Sequence, residues 1–343
     1  MSTDPRRIEP KYQDIVFSYE TKLGVAAMIP VGFKCCLGRR MGLLRPKDGV
    51  EPRFLIYAYL APDFQKVIHE RTYHGSTVDR IPLKEISDFP VSIPNLIEQK
   101  AIASVLSSLD DKIDLLHRQN KTLEAMAETL FRQWFAEEAK DDWNEAKLAD
   151  VCSVITKGTT PTTLGHQFIE KGVNFIKVES ITDSGDFIFD KFAQISEETH
   201  QFLKRSIIES GDVLCSIAGT IGRTAIVDDS ILPANTNQAI AILRIDCKKC
   251  LPEFVYLFLK STAFREIMSG KIVHAVQPNL SLGEIGNTSF LLPPENLMRK
   301  FEVTIRPIFE KKKINSHQIH TLETLRDTLL PKLMSGEVRV DYP

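Results

Sequence analysis

Residues 102–134 read IASVLSSLDDKIDLLHRQNKTLEAMAETLFRQW. Apolar side chains recur there at alternating spacings of four and three residues across five heptads, and nine of the ten seam positions are apolar. This pattern predicts a long helix with a coiled-coil seam, spanning about 48 Å at about 1.5 Å per residue. Asn120 interrupts the seam, and a buried amide disfavours wrong registers because it needs a specific partner.

A second long helix is predicted near the C-terminus as a repeat of the first. Seven of its ten seam positions between residues 301 and 333 are apolar, and Pro307 and Pro331 should disturb its N-terminal part and its last turn. Because a whole domain separates the helices, we expect antiparallel pairing; the alternative is that each helix packs on its own domain. The predicted helix-pairing residues are Ile102, Leu106, Leu109, Ile113, Leu116, Asn120, Leu123, Leu130, Phe301, Ile305, Ile308, Asn315, Ile319, Leu322 and Leu329.

The helices belong to a longer repeat, in which the chain matches itself at an offset of about 199 residues. The matching pairs are 221–227 with 23–29, 252–259 with 52–60, and 282–293 with 83–94. This period is too long for a solenoid, whose repeats run about 20–50 residues. It indicates a duplicated domain plus helix, and two such units in tandem can recognise two similar targets at a fixed distance.

The domain between the helices, at about residues 143–292, has mixed elements. Short β-rich runs are expected at 173–178, 212–217, 223–227 and 239–245, and helices at 252–260 and 262–269. The runs show no regular βαβ rhythm, so the predicted fold class is α+β.

Composition is that of an ordinary globular protein, and 343 residues suffice for two or three domains. No apolar run approaches the roughly 18–20 residues of a membrane helix, and we expect no membrane partner and a cytoplasmic location. The six cysteines fit reduced thiols better than a disulfide scaffold. Cys247 and Cys250 form a lone CxxC, for which a plain turn is favoured over a metal site.

Charge gives no sign of nucleic-acid binding, since the formal net charge is −2. Residues 143–292 contain 14 Lys and Arg against 17 Asp and Glu. Any contact with DNA must therefore come from locally clustered bases rather than a domain-wide field.

Catalytic motifs are missing from the sequence. Residues 219–224 read GTIGRT, whose glycine spacing is too short for a phosphate-binding loop and whose lysine position holds Arg223. Pro293 and Pro294 are followed by Glu295, so they do not form the Asn/Asp-Pro-Pro-aromatic motif of adenine methyltransferases. The chain is predicted to be non-catalytic by itself.

Several segments of the chain carry a recognisable set of motifs. They are residues 92–102, 109–113, 120–123 and 127–135, residues 157–161, which read KGTTP, and segments 211–214, 219–222, 237–240 and 330–337. Together they resemble the specificity subunit of Type I restriction–modification enzymes. The first four segments look like the family's central conserved region, and KGTTP resembles its G-x-T-P motif.

The resemblance implies two target recognition domains, each reading one half of a split site in double-stranded DNA. Two conserved helices would hold the domains apart and dock two modification subunits. Those subunits would bring S-adenosylmethionine and methylate adenine N6, and restriction subunits would bring ATP and Mg²⁺. The chain itself would hold no cofactor and catalyse nothing. The alternatives are a coiled-coil adaptor that docks partners without reading DNA, and an enzyme in its own right.

Candidate DNA contacts follow from side-chain chemistry in loops. Asn and Gln can pair with adenine, Arg and Lys with guanine or phosphate, and Ser and Thr with either. The candidates are Lys157, Thr159, Thr160, Thr162, Lys177, Ser180, Arg223, Asn235, Asn237, Gln238, Lys271, His274, Gln277 and Asn279. Asn237 and Gln238 have the alternative role of turn or strand-end residues that satisfy backbone groups.

The first recognition domain departs from the family pattern. The second unit begins near Trp143, so the repeat offset predicts that about 56 residues of the first are absent, with its G-x-T-P motif and early strands. We expect this truncation to expose apolar surface around residues 23–29 and 54–60. The alternative is a complete small domain. The predicted division is 1–93, 94–140, 141–293 and 294–343: truncated recognition domain, first helix, complete recognition domain, and second helix with tail.

Overall fold

The computed structural model describes residues 8–75, 78–140, 142–272 and 279–341, without the side chains of 269–272. Contacts within the chain define two compact units. The first unit contains residues 1–115 and 319–343, and the second contains residues 116–318. Each long helix therefore contributes one part to each unit.

The first unit is built on a small antiparallel sheet. In chain order its elements are β1 (Ile15–Ser18), β2 (Ala26–Met28), β3 (Met41–Leu44), α1 (Pro52–Leu60), α2 (Pro62–Arg71) and the start of α3 (Leu96–Arg132). The strands lie in the order β2-β1-β3, with both pairs antiparallel.

The second unit is larger and mixes sheets with short helices. After α3 come β4 (Asn144–Lys147), α4 (Leu148–Val151), β5 (Cys152–Lys157), β6 (Val173–Ile176), β7 (Ala193–Ile195), α5 (Glu197–Phe202), β8 (Ile207–Ile208), β9 (Val213–Ser216), β10 (Thr224–Ile226), β11 (Ala234–Thr236), β12 (Ile240–Ile245), α6 (Pro252–Lys260), α7 (Thr262–Ile272), α8 (Leu282–Gly286), β13 (Ser289–Leu292) and α9 (Glu295–Ser335). The sheet orders are β10-β9-β12-β5, β7-β6-β11-β8 and β13-β4. The predicted α+β class is confirmed.

The internal repeat is visible in the sheets and in an ion pair that occurs in both units. Strands β1, β2 and β3 occupy the repeat positions of β9, β10 and β12, and these strands follow the same order in the two sheets. Arg45 donates two hydrogen bonds to Asp14, at 2.8 and 2.6 Å. Arg244 donates two to Asp212, at 2.8 and 2.9 Å. In both pairs the carboxylate is buried.

The expected apolar exposure of the first unit is wrong for residues 54–60, whereas in the other stretch Val25 is 44% exposed. Phe54 is fully buried, and Tyr59 and Ile29 are only 2% and 4% exposed. Phe54 packs with Ile102, and Tyr59 packs in a second cluster with Phe17. Helix α1 thus finds apolar partners on two sides, so most of its surface does not depend on further strands.

Within each unit the two long helices pack against each other in antiparallel orientation, as predicted. In the first unit, Ile102 and Leu106 share a buried cluster with Leu333. In the second, the ring of Phe131 lies 6.4 Å from that of Phe301. Early residues of α3 therefore meet late residues of α9, and late residues meet early ones. Helix α9 is continuous from Glu295 to Ser335 through both Pro307 and Pro331.

The buried stripe of α3 leaves the predicted heptad after Asn120. Leu123 and Leu130 are only partly buried, whereas Glu124 and Phe131 are 6% and 7% exposed. A straight helix has 3.6 residues per turn and drifts by about 20° per heptad relative to a 3.5-residue repeat. The buried stripe therefore shifts by one residue, and the shift places the Glu124 carboxylate in the interior.

Asn120 finds the specific partner that its seam position requires. Asn315 donates through Nδ2 to Oδ1 of Asn120 at 2.9 Å, and Asn120 donates through Nδ2 to Ser316 Oγ at 3.1 Å. Both asparagines are buried, at 3% and 0% exposure. The pair aligns α3 with α9 at one register in the second unit.

Asn120→Leu is expected to destabilise the protein by about 1–3 kcal/mol, because it removes the 2.9 Å acceptor of the buried Asn315 amide and leaves it the longer 3.4 Å contact with Gln119. The double variant Asn120→Leu/Asn315→Leu should recover much of that loss, since removing both polar groups avoids the desolvation cost. Urea unfolding of the two variants measures this. A double variant as unstable as the single one would show that the asparagine pair does not act as a unit.

A buried charged cluster lies next to this pair in the second unit. The Glu124 carboxylate accepts hydrogen bonds from Lys260, from Lys312 at 2.6 Å and from the Tyr256 hydroxyl at 2.7 Å. Tyr256 and Lys312 also donate to the carbonyl of Ser184. The cluster thus joins α3 and α9 to α6 and to the 182–186 loop of the same unit.

Candidate nucleic-acid interface

The loop that follows β5, residues 158–166, is held against the chain between β11 and β12. The Thr159 amide donates to the carbonyl of Thr236 at 3.1 Å. A Cβ atom at Gly158 would lie 1.9 Å from that carbonyl oxygen, so only glycine permits this approach. The glycine of the KGTTP motif therefore fixes where the loop begins.

Three side-chain contacts hold the rest of this loop. The Thr160 hydroxyl donates to Oε1 of Gln238, and Arg205 donates through Nη2 to the Thr159 hydroxyl at 3.1 Å. His166 Nδ1 lies 3.0 Å from the Thr199 hydroxyl. The loop is thus attached to two neighbouring segments, which pre-organises its polar groups for binding.

The outer surface of this region is polar and partly basic. Thr162, Gln238, Lys204 and Arg205 are exposed, and Lys157, Thr159 and Thr160 are half-buried. Phe202 is 62% exposed, and its ring lies 4.9 Å from that of His166. We call this surface the loop face and define it as residues 157–166, 202–205 and 238. It carries hydroxyl, amide and guanidinium groups, which are the groups that bind base edges and phosphates.

Two predicted contacts are corrected by burial. Ser180 and Asn235 are both 0% exposed. The Ser180 hydroxyl donates to the Lys191 carbonyl at 3.0 Å, and Asn235 donates through Nδ2 to the Leu203 carbonyl at 3.2 Å. These side chains satisfy internal backbone groups, so we remove both from the candidate DNA contacts.

Other predicted contacts have internal partners. The Lys177 ammonium lies 4.6 Å from the centre of the Phe168 ring. Arg223 donates to Asp183 at 2.9 Å and to the Val178 carbonyl at 3.2 Å. Oδ1 of Asn237 accepts from the Ala239 amide at 3.1 Å, which favours the structural alternative for this residue.

The remaining candidates lie near the segment that precedes α8. Asn279 is exposed and forms an isolated bridge with Ala218. His274 and Gln277 lie outside the described residues, as does the side chain of Lys271.

Sequence reasoning missed Phe202, Lys204 and Arg205. Phe202 is the last residue of α5, and Lys204 and Arg205 follow it. This helix is too short to show a clear period. The adjacent Lys204 and Arg205 form a basic pair in a domain with a slight excess of acids, and this local clustering was the available signal. The contact between Arg205 and Thr159 joins residues 46 positions apart, so no local pattern could reveal it.

Other kinds of site find little support in the described part of the chain. Burial raises the pKa of the Cys250 thiol to about 12, while Cys247 is exposed. No group of three or more His, Cys, Asp or Glu side chains in the described ranges is arranged to hold a metal ion. None of the helices described is long and apolar enough to cross a membrane.

Duplicated α+β units, paired long helices and a pre-organised polar loop define a recognition protein. The sequence model of the Type I restriction modification DNA specificity domain matches residues 7–125 and again 140–324. The chain belongs to this family, and its role is DNA sequence specificity.

Curated relatives and a solved structure are similar over most of the chain. The MjaIX specificity subunit of a Methanocaldococcus jannaschii Type I restriction enzyme is 27% identical, covering 86% of this chain and 71% of the relative. The HindI specificity subunit of Haemophilus influenzae is 24% identical, covering 84% and 78%. The S subunit crystal structure from M. genitalium has a TM-score of 0.56 at 18% identity, covering 99% and 86%, and supports the fold.

Proposed function

We propose that the second unit reads one half of a bipartite site in double-stranded DNA through its loop face. Two hydrogen bonds carry this proposal. The Thr160 hydroxyl donates to Gln238, and Arg205 donates to the Thr159 hydroxyl, on a surface where Gln238 and Arg205 are exposed. The Thr160 hydroxyl orients the Gln238 amide. An oriented amide can accept a hydrogen bond from adenine N6 and donate one to adenine N7. Arg205 and Lys204 add positive charge that can bind phosphates.

The catalytic steps are proposed to belong to partner subunits. Two modification subunits would dock on the chain, bring S-adenosylmethionine and methylate adenine N6. Restriction subunits would bring ATP and Mg²⁺ and cut unmodified DNA. The chain would hold none of these cofactors and would act in the cytoplasm. The curated relatives are named as specificity subunits of Type I restriction enzymes, which supports this assignment.

A second candidate function is an adaptor that docks partners but reads no DNA. One difference between the repeats favours it for the first unit. The repeat counterpart of Asn237 and Gln238 falls at residues 38–40, where the chain has Arg39 and Arg40. The first unit would then lack the amide groups that the second unit offers to bases.

The two functions are separated by mapping adenine methylation in cells that co-express the chain with its modification subunits. Purification of the assembly first establishes docking. We expect methylation at a motif that contains the half-site read by the second unit. An intact assembly that methylates no motif would contradict the reading function and leave the adaptor.

A further inference from the structure

The first unit contains a stretch of chain with a strong positive charge. Residues 21–47 include no Asp or Glu and six basic residues, namely Lys22, Lys34, Arg39, Arg40, Arg45 and Lys47. The repeat counterpart, residues 220–246, has two basic residues, Arg223 and Arg244, and three acids, Asp228, Asp229 and Asp246. The difference between the repeats is notable in a chain whose formal net charge is −2.

Three of these basic residues meet at one end of the small sheet. Ser18 pairs with Met41, so the chain leaves β1 and enters β3 at the same end. The Tyr19 amide donates to the Arg40 carbonyl at 3.1 Å, and the Tyr19 hydroxyl donates to the Arg39 carbonyl at 2.8 Å. Arg40 donates to the Thr21 hydroxyl at 3.1 Å, next to Lys22.

A fourth basic residue, Arg80, joins them through Glu20. The Glu20 carboxylate lies 3.0 Å from Arg80 and 3.5 Å from Arg40. Its side chain is 13% exposed, whereas those of Arg80 and Arg40 are 62% and 60% exposed. We call Lys22, Arg39, Arg40 and Arg80 the basic edge. Among the described residues, Glu20 pairs with two of these four cations, so the basic edge carries more positive than negative charge.

The charges of Lys22 and Arg39 are not neutralised by an ion pair in the described part of the chain. Both are exposed, and neither forms an ion pair with a described acid. These two cations lie next to the two exposed guanidinium groups of Arg40 and Arg80. Such a cluster of positive charge is suited to binding a polyanion. The phosphate backbone of duplex DNA presents regularly spaced negative charges, and Lys and Arg are its usual ligands.

We propose that the basic edge holds the phosphate backbone of duplex DNA without reading its sequence. This inference rests on the proposed function and adds a task for the first unit within it. The strand registers align Met41 with Ile240, so Arg39 stands where the second unit has Gln238, and Arg40 stands where it has Ala239. The amide that can bond a base edge is thus replaced by a guanidinium group that can bind phosphate. The first unit then contributes affinity, and the second contributes the reading of its half-site.

The test is the double variant Lys22→Gln/Arg39→Gln in the full chain, co-purified with its modification subunits. Binding to a duplex that bears the methylated motif and to a scrambled duplex is measured between about 50 and 200 mM KCl. Each phosphate contact contributes about 0.9 to the slope of log affinity against log salt, so the slope should fall in magnitude by about 2 on both duplexes. The methylated motif should stay the same.

The matched control is Lys66→Gln/Lys248→Gln, which removes two exposed charges elsewhere and should leave the slope as in the wild type. A double variant that behaves like this control would overturn the proposal. A changed motif would also overturn it, because the basic edge would then be reading bases. Failure of the proposed function would be seen separately, as a wild-type assembly that methylates no motif.

Discussion

Glu124→Gln is expected to lower the free energy of unfolding by about 3–5 kcal/mol, because it removes the buried carboxylate that two buried ammonium groups share. The acids that remain near them, Glu128 at 3.2 Å from Lys260 and Asp186 at 3.5 Å from Lys312, are more exposed. The Glu124 carboxylate faces Lys260 and Lys312, and all three side chains are 10% exposed or less. Glutamine has nearly the same shape but cannot neutralise two ammonium groups. Chemical denaturation followed by circular dichroism measures the loss.

The same variant should change the response to acid. Burial raises the pKa of Glu124, but Lys312 and Lys260 outweigh burial and hold it below the ordinary value of 4.5. A carboxyl whose pKa is lowered by folding contributes stability at neutral pH, and this contribution is lost as the pH falls below about 4.5 towards the folded pKa. Glu124→Gln should therefore lose less stability than the wild type over that range.

Glu128→Gln is the matched control for Glu124→Gln. Glu128 also pairs with Lys260, at 3.2 Å, but its side chain is 45% exposed. Its replacement should cost less than about 1 kcal/mol, as for other exposed ion pairs. Equal unfolding midpoints for wild type and Glu124→Gln would show that the cluster does not hold the second unit together.

Leu106→Arg is expected to destabilise the first unit by several kcal/mol, enough to abolish soluble expression of a protein of ordinary stability. Leu106 is fully buried in the cluster that contains Phe54 and Leu333. Leu109→Arg is the control, since Leu109 is partly exposed and its arginine can extend into solvent. Soluble yield and limited proteolysis compare the two. Equal solubility would contradict the packing of α3 against α9 in this unit.

The long helices could be predicted because their stripes repeat over many turns. The prediction was wrong in two details: the seam moves from Leu123 to Glu124, and α9 continues through Pro307 and Pro331. A hydrophobic pattern cannot select a glutamate as a buried residue, since its burial depends on Lys260 and Lys312, which lie far away in sequence. Asn120 was predictable because a lone amide in an apolar seam requires a partner.

The strands of the second unit were only partly predictable. The β-rich runs at 212–217 and 239–245 predicted β9 and β12, which are buried at the centre of a sheet. By contrast, β4 reads NEAK and β11 reads ANT, and neither carries an apolar pattern. Their conformation is set by pairing with β13 and β6. Tertiary context decides such strands.

The loop face shows the same limit for the candidate site. Side-chain chemistry selected Thr159, Thr160 and Gln238, and the fold brings them together. The same chemistry selected Asn235, which folding buries at 0% exposure on β11. A polar side chain next to a strand can face solvent or satisfy the backbone, and only the fold decides which.

We propose that the second unit reads one half-site by itself. Register pairs Asn144 with Leu292, so the chain enters and leaves this domain at adjacent points, and residues 143–292 can be exchanged as a block. Replacing them with the same region of a relative should change the half-site that the second unit reads and leave the rest of the methylated motif, including any spacer, unaltered. A methylated motif that keeps this half-site after the exchange would contradict this account.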